Sequence, residues 1–334
     1  MRVRGVVPLS RGVVSVPSRL SSWFLILIIL VVVVMVTAII VLVVWKSLFP
    51  TKKRKKQPSR GRDRLCMLAY YEKDETYKQN LEYFLQHGVY PNMDYLIIVN
   101  GICTSTALRN EKRPNVKVMY RENTGYDFGA YSHALSVLQG GGGDSVQDTV
   151  VNIPYNLDKY RYFFFINSSV RGPFVKPHLE MSDWSYQFTD LLKDDVHLVG
   201  TTICILHTDS PFFVVDKDHL TRPHVQSMVL VMDRLCLDLL LPHIFNPEFI
   251  TNDMWSTIIN KEILLSTKVL EKGWNISCLA AKYQGFDYRK ITTNINYSAA
   301  PLGDACHPGA YFGGTLDPYE IVFIKTNRGL PVPP

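Results

Sequence analysis

Apolar residues in this chain recur in two patterns. One is a short unbroken run: "LCMLAYY" (65–71), "DYLIIVNG" (94–101), "VKVMYREN" (116–123), "YFFFIN" (162–167), "HLVGTTICIL" (197–206) and "WNISCLAA" (274–281). Runs of this length read as strands covered on both faces. The other pattern is helical. Tyr77, Leu81, Phe84 and Leu85 share one face of a segment that Asp74 or Thr76 can cap, that runs through Gln86, and that Gly88 ends. Further helices are expected at "GAYSHALSVL" (129–138), at "WSYQFTDLL" behind Asp183, near 226–241 and near 253–272. "GGGGDSVQD" reads as a flexible loop, and the tail from Pro301 as loop-rich. Strand and helix alternate, which predicts an α/β fold: a mostly parallel sheet with helices on both faces.

Ligands on such sheets sit outside the carboxyl ends of the strands. Here those ends are 72–74, Asn100-Gly101, 121–123 and 167–171, and all are polar or turn-forming.

One apolar run is of a different kind. "WFLILIILVVVVMVTAIIVLVVW" (23–45) carries no charge. As a helix it would be ~34 Å long, enough to cross a bilayer. Tryptophan at each end suits the two interfaces. A cleavage site of small residues is absent, so the run reads as a retained signal anchor. The chain then divides into a short tail (1–22), one transmembrane helix (23–45), a basic linker (46–64), a catalytic-size domain (65–300) and a Pro/Gly-rich C-terminal segment (301–334).

The net charge of +6 hides a segregation. Residues 1–64 hold 13 of the 36 lysines and arginines but only one of the 30 acids, Asp63. The remainder is mildly acidic, which argues against a nucleic-acid partner. "KKRKK" (52–56) is a juxtamembrane basic cluster. Taken alone, the positive-inside rule puts the C-terminal domain in the cytosol. Three Asn-X-Ser sequons, at Asn167, Asn275 and Asn296, and an even six cysteines point to the lumen instead. The expectation is a type II membrane protein of the Golgi with a lumenal domain.

Two segments carry candidate chemistry. In "RENTGYDFGAYSHAL" (121–135), Gly125 and Gly129 permit close backbone approach, and a helix beginning near Gly129 would offer N–H groups to an anion. Asp127 before that helix is equally well read as an N-cap. In "NKEILLSTKVLEKGWNI" (260–276), Glu262 and Ser266 share a helical face and Gly273 ends the helix. A lone Glu there is also an ordinary solvated residue. His207, His224 and His307 match no metal template. Gln226-Ser227 is a candidate acceptor contact.

Taken in order, these strands, the "NTGYDFGAY" helix, the "INSSVRGPF" strand end and "KEILLSTKVLEKGWNI" resemble a glycosyltransferase with the GT-A fold. The likeness is to the rhamnan-synthesis F family and covers about residues 65–290. It implies transfer of a hexosyl or deoxyhexosyl group from a nucleotide-sugar donor to a glycan or glycoprotein acceptor, as in polysaccharide biosynthesis. Inversion is implied by a second likeness: aligned on Ser266, Gly273 and Trp274, Glu262 takes the place of the catalytic base of inverting GT-A enzymes. Lys261 falls where those enzymes carry Glu.

By the same resemblance the donor would lie against Asn100, Asn123, Gly125, Asp127, Asn167, Ser169 and Arg171. Such enzymes hold Mn2+ or Mg2+ on an Asp-X-Asp motif. Here Asn167-Ser168-Ser169 stands in its place, so metal independence is plausible and Arg171 is the expected diphosphate partner. Asp127 is the alternative metal or ribose ligand. Asn167, at a strand end in the cleft, is expected to stay unmodified, leaving Asn275 or Asn296 as glycan acceptors. Loss of the paired aspartates also suits an alternative: a catalytically inactive, membrane-tethered glycan-binding or scaffold protein of transferase-like fold.

Overall fold

The computed structural model describes residues 24, 26–38, 62–140, 155–176, 183–207, 210, 223–291 and 294–333. The chain forms two units, 1–59 and 60–334. In the first, residues 26–38 are helical and Thr37 Oγ1 donates back to the carbonyls of Val33 and Val34. Among the described residues no helix is long and apolar enough to cross a membrane. Residues 23, 25 and 39–45 of the expected span lie outside the described residues, as does the basic cluster.

The second unit is built on a seven-stranded sheet of order β10-β6-β9-β4-β1-β2-β3. Its strands are β1 (Arg64–Tyr70), β2 (Asp94–Asn100), β3 (Val116–Arg121), β4 (Tyr162–Asn167), β6 (Val196–Gly200), β9 (Val229–Asp233) and β10 (Asn275–Cys278). Two-residue ladders add β5 (Val170–Arg171) with β11 (Ile324–Lys325) and β7 (Ile203–Cys204) with β8 (His224–Val225). Strands β3, β2, β1 and β4 run parallel, as do β6 and β10; β9 alone is antiparallel to its neighbours, β4 and β6. Every residue of β1 and β2 is buried, which is why neither alternates.

Strand β4 shows what covers the sheet. Successive side chains point to opposite faces. Phe164 meets Trp184 at 5.4 Å on one face. Phe165 meets Tyr131 at 5.0 Å and Phe245 at 4.9 Å on the other. Helix α1 (Glu75–His87) brings Phe84 against Tyr95 and Trp184. Its N-cap is Asp74, whose carboxylate accepts from the N–H groups of Thr76 and Tyr77. Helix α2 (Tyr126–Leu138) carries Tyr131 and Phe128.

Two expectations are corrected. The helix expected over 226–241 is strand β9 followed by helix α3 (Arg234–Leu240), capped by Asp233. Residues Val229–Met232 are buried on both faces between β4 and β6, so their apolar run carries no period that separates strand from helix. Behind Asp183 only Tyr186–Thr189 is α-helical, with Ser185 as its N-cap. Asp183 serves instead as partner to the buried Arg64, at 2.6 Å, and also accepts from Ser185. The loop-rich C-terminal segment packs into the domain: Ile321–Ile324 is buried, and β11 pairs with β5.

Neither Asn275 nor Asn296 is available for a glycan in the folded chain. Asn275 donates to Phe286 O and accepts from the N–H groups of Ile276 and Tyr288. Asn296, 1% exposed, donates to Tyr283 Oη and Ala310 O. All six cysteines are free.

Removing one partner of a buried ion pair leaves the other charge uncompensated. Asp183→Ala is therefore expected to lower stability by about 3–5 kcal/mol, read as a reduced urea midpoint of the full-length chain in detergent. An unchanged midpoint would show that Arg64 finds other support.

Candidate active site

The register of the parallel strands brings their polar ends together. Ala69 of β1 is paired with Asn167 of β4, and Asn100 of β2 with Arg121 of β3. Above these ends lies a cavity of about 500 Å3. Strand ends supply Ala69, Tyr71, Asn100, Asn167, Ser168 and Ser169. The turn into α2 supplies Asn123, Tyr126 and Asp127. The opposite wall is Ser227 with Met254, Thr257, Ile258 and Glu262. Six of the expected residues thus share one cavity: Asn100, Asn123, Asp127, Asn167, Ser169 and Glu262. Ser227, Tyr71, Tyr126, Met254 and Thr257 join them, and no motif singled out the last four.

Helix α2 starts at Tyr126, not near Gly129. Gly125 (φ 72°) and Tyr126 (φ 55°) are both left-handed, so the chain reverses sharply after β3. Asn252 fixes this turn: its Oδ1 accepts from Gly125 N–H at 2.7 Å, and its carbonyl from Tyr126 Oη at 2.9 Å. A Cβ on Gly125 would stand 2.0 Å from Ile250 Cγ2, and one on Gly129 2.1 Å from Thr124 O. Both glycines are explained by packing within the turn. Gly125 is not in the cavity lining.

Asp127 is half-buried. Its Oδ2 accepts from the Asn167 amide at 3.1 Å and its Oδ1 from Phe128 N–H at 3.0 Å. Loss of hydration raises its pKa; the Asn167 hydrogen bond opposes this, and the charge of Glu262 adds to it.

Glu262 lies in a π-helical segment (Ile258–Ile263) between two α-helical stretches, α4 (Met254–Thr257) and α5 (Leu264–Glu271). Wider turns of this kind shift the phase of the side chains around them. Lys261 is buried and its Nζ donates to the carbonyls of His243 and Ile244. Glu262 faces the cavity, and its Oε1 accepts from Ser227 N–H at 2.9 Å. Ser266, fully buried, accepts from Val225 N–H at 3.0 Å. Glu262 and Ser266 thus pin two backbone groups of one extended segment. Glu262 Oε2 accepts from none of the described residues.

Arg171 does not line the cavity. Its Nε donates to Asn80 Oδ1 at 3.0 Å and its Nη2 to Gln79 Oε1 at 3.3 Å, both on α1. Asn80 itself donates to Ser168 O and Thr326 Oγ1, so this guanidinium ties α1 to the strand end. A different guanidinium stands one hydrogen bond behind the lining: Arg121 donates to Asn100 Oδ1 at 2.7 Å and to Thr124 O at 3.0 Å.

The residues present make a poor cage for a divalent cation. Among the described residues no three His, Cys, Asp or Glu side chains converge, and both oxygens of Asp127 already accept hydrogen bonds. Hard cations favour several carboxylate or carbonyl oxygens together.

No family model matches the sequence, and no curated protein matches it. Among solved structures the chain is similar to a mannosyltransferase from Pyrobaculum calidifontis in complex with GDP-Man and Mn2+. The likeness is 10% identity over 65% of this chain and 54% of that one, TM-score 0.38. It is also similar to a mutant Drosophila β1,4-galactosyltransferase 7 with manganese, UDP-Gal and xylobiose, at 9% identity over 69% and 66% of the two chains, TM-score 0.30. A galactosyltransferase LgtC with donor and acceptor sugar analogues matches at 10% identity over 62% and 64%, TM-score 0.28. The chain spans between about half and two thirds of these proteins. Scores at this level bear on neither activity, donor nor metal.

The Asp127 shift has a pH signature. The folded chain holds this proton more tightly than the unfolded chain. The group therefore favours folding below the ordinary carboxylate pKa, and that contribution fades as pH rises through the raised value. Asp127→Asn should leave the urea midpoint little changed at acid pH and raise it at neutral pH. An equal effect at both pH values would remove the charge from the explanation.

Proposed function

We propose that this protein is a membrane-anchored glycosyltransferase, moving a sugar from a nucleotide-sugar donor to a glycan or glycoprotein hydroxyl with inversion. The observation that carries the proposal is the pairing of Asp127 and Glu262 across one cavity at the carboxyl edge of a parallel sheet. The two carboxylates are held differently. Asp127 has both oxygens engaged and stays a positioning group for Asn167 and the donor. Glu262 Oε2 is free of hydrogen bonds from the described residues. Glu262 would take the proton of an acceptor hydroxyl as the hydroxyl oxygen attacks the anomeric carbon. The donor would lie across Asn100, Asn123, Asn167 and Ser169, with the exposed rings of Tyr71 and Tyr126 at the mouth. The diphosphate leaving group would be balanced by Arg121, which stands one hydrogen bond behind the lining through Asn100. A bound Mn2+ or Mg2+ would supply Lewis-acid charge at the leaving group, but the donor set does not fit one.

A second reading, an inactive glycan-binding protein of the same fold, is favoured by the hydrogen bonds that turn Arg171 away from the cavity to Asn80 and Gln79 of α1. A donor screen with and without manganese separates the two. Glu262→Gln is expected to reduce turnover by about 10²–10⁴-fold with donor affinity retained. Arg121→Ala should weaken donor binding, whereas Arg171→Ala should leave it nearly unchanged. Failure of every nucleotide sugar to bind at millimolar concentration would sink the enzyme reading.

The anchor and the Golgi lumen belong to the same proposal. Buried sequons and free cysteines do not support the lumen, so that placement leans on the activity; the basic linker favours the cytosol. In sealed microsomes a lumenal domain is protected from added protease. Digestion without detergent would reverse the orientation and move the acceptor to the cytosolic side.

A further inference from the structure

A second concavity lies on another face of the domain. It has a volume of about 580 Å3 and is walled by α1, the turn after it, residues 173–175 and Tyr319. From Tyr77, which lines the first cavity, Tyr83 and His87 are ~9–15 Å further along the same helix. The wall is a row of rings. Tyr83 lies tilted against His87, with centroids 4.4 Å apart, and against Phe174 at 5.2 Å; Phe174 meets Tyr319 at 6.1 Å. Phe174 is buried, Tyr319 is 37% exposed, and Tyr83 is half-buried. The row is thus seated in the core yet open on one side.

Polar groups accompany these rings. The hydroxyls of Tyr83 and Tyr319 and the carboxamide of Gln86 form no hydrogen bond with the described residues. Among the described residues the lining contains no Lys, Arg, Asp or Glu. That combination selects a ligand. A lipid or apolar peptide would cover the hydroxyls and the amide without pairing them, at the cost of their desolvation. A phosphate or nucleotide would find no Lys or Arg in the described lining; Arg171 acts on Tyr83 only from outside it. A neutral polyhydroxylated ring offers C–H faces to aromatic planes and hydroxyls to their polar edges.

We infer that this groove is a saccharide-binding site, separate from the cavity that holds Asp127 and Glu262, and that it takes an uncharged glycan segment. The inference does not need the transferase reading, because binding is read without turnover.

Full-length protein in detergent, carrying Glu262→Gln, is titrated with maltotriose, xylotriose, mannotriose and triacetylchitotriose, with sialyllactose as charged comparator. Saturation-transfer NMR and calorimetry report binding. At least one neutral trisaccharide should bind with a millimolar Kd, without competition from a nucleotide sugar. Gln86→Ala and Tyr319→Ala should each weaken it by about fivefold. Tyr319→Phe, which keeps the packing against Phe174, should weaken it less and confirms the fold of the site. The inference is overturned if no neutral trisaccharide binds, if sialyllactose binds equally well, if nucleotide sugar displaces the trisaccharide, or if binding survives both alanine variants. None of these outcomes touches the Glu262 experiment.

Discussion

Strand β1 is bonded on both edges and covered on both faces. Leu65–Tyr70 pairs with β2, Arg64–Ala69 pairs with β4, and all seven residues are buried. A strand so placed can end only where its backbone again finds water or a side chain to bond. It ends at Tyr70, and the chain turns out at Tyr71 beside Ser168. The cavity floor is set there. Because β1, β2 and β4 run parallel and in register, their polar ends fall side by side, and a hydrophobic core dictates the position of a polar edge.

What stands above that edge comes from elsewhere in the chain. The α2 turn is held by Asn252 and Ile250, and Asp127 enters the cavity only because Gly125 and Tyr126 both adopt left-handed backbone. Glu262 enters from the far wall on a π-turn, and is held by the backbone of Ser227. The charge of Glu262 reaches Asp127 and helps to raise its pKa. A second negative charge near a carboxylate in a partly dry site disfavours its ionised form. The same helix shows the contrast: Lys261 donates to the carbonyls of His243 and Ile244 and does not face the cavity.

The α1 helix serves both concavities. Tyr77 lines the first, and Tyr83, Gln86 and His87 the second. Between them Asn80 ties Ser168, Thr326 and Arg171 into one network. Arg171 thus fixes the strand end from behind, which requires that α1, β5 and the C-terminal strand β11 pack together. This explains why residues after Pro301, loop-rich as they are, belong to the core of the fold.

Burial and period are properties of a segment, and the segments with one clear property were legible from sequence. β1, β2, β3, β4 and α1 appear where the runs and caps place them, to within a residue or two, and the mostly parallel sheet follows from their alternation. So does the polar edge, and with it six of the residues that line the cavity. Three things depended on contacts between distant segments and could not be read. The run 229–232 is apolar on every side, so only its place between β4 and β6 makes it a strand. Asp183 looks like a cap until Arg64 is buried beside it. Arg171 looks like a phosphate ligand until Asn80 and Gln79 accept its hydrogens. A side chain's residue type states what it can bond; which partner lies within 3 Å is decided when the chain closes on itself.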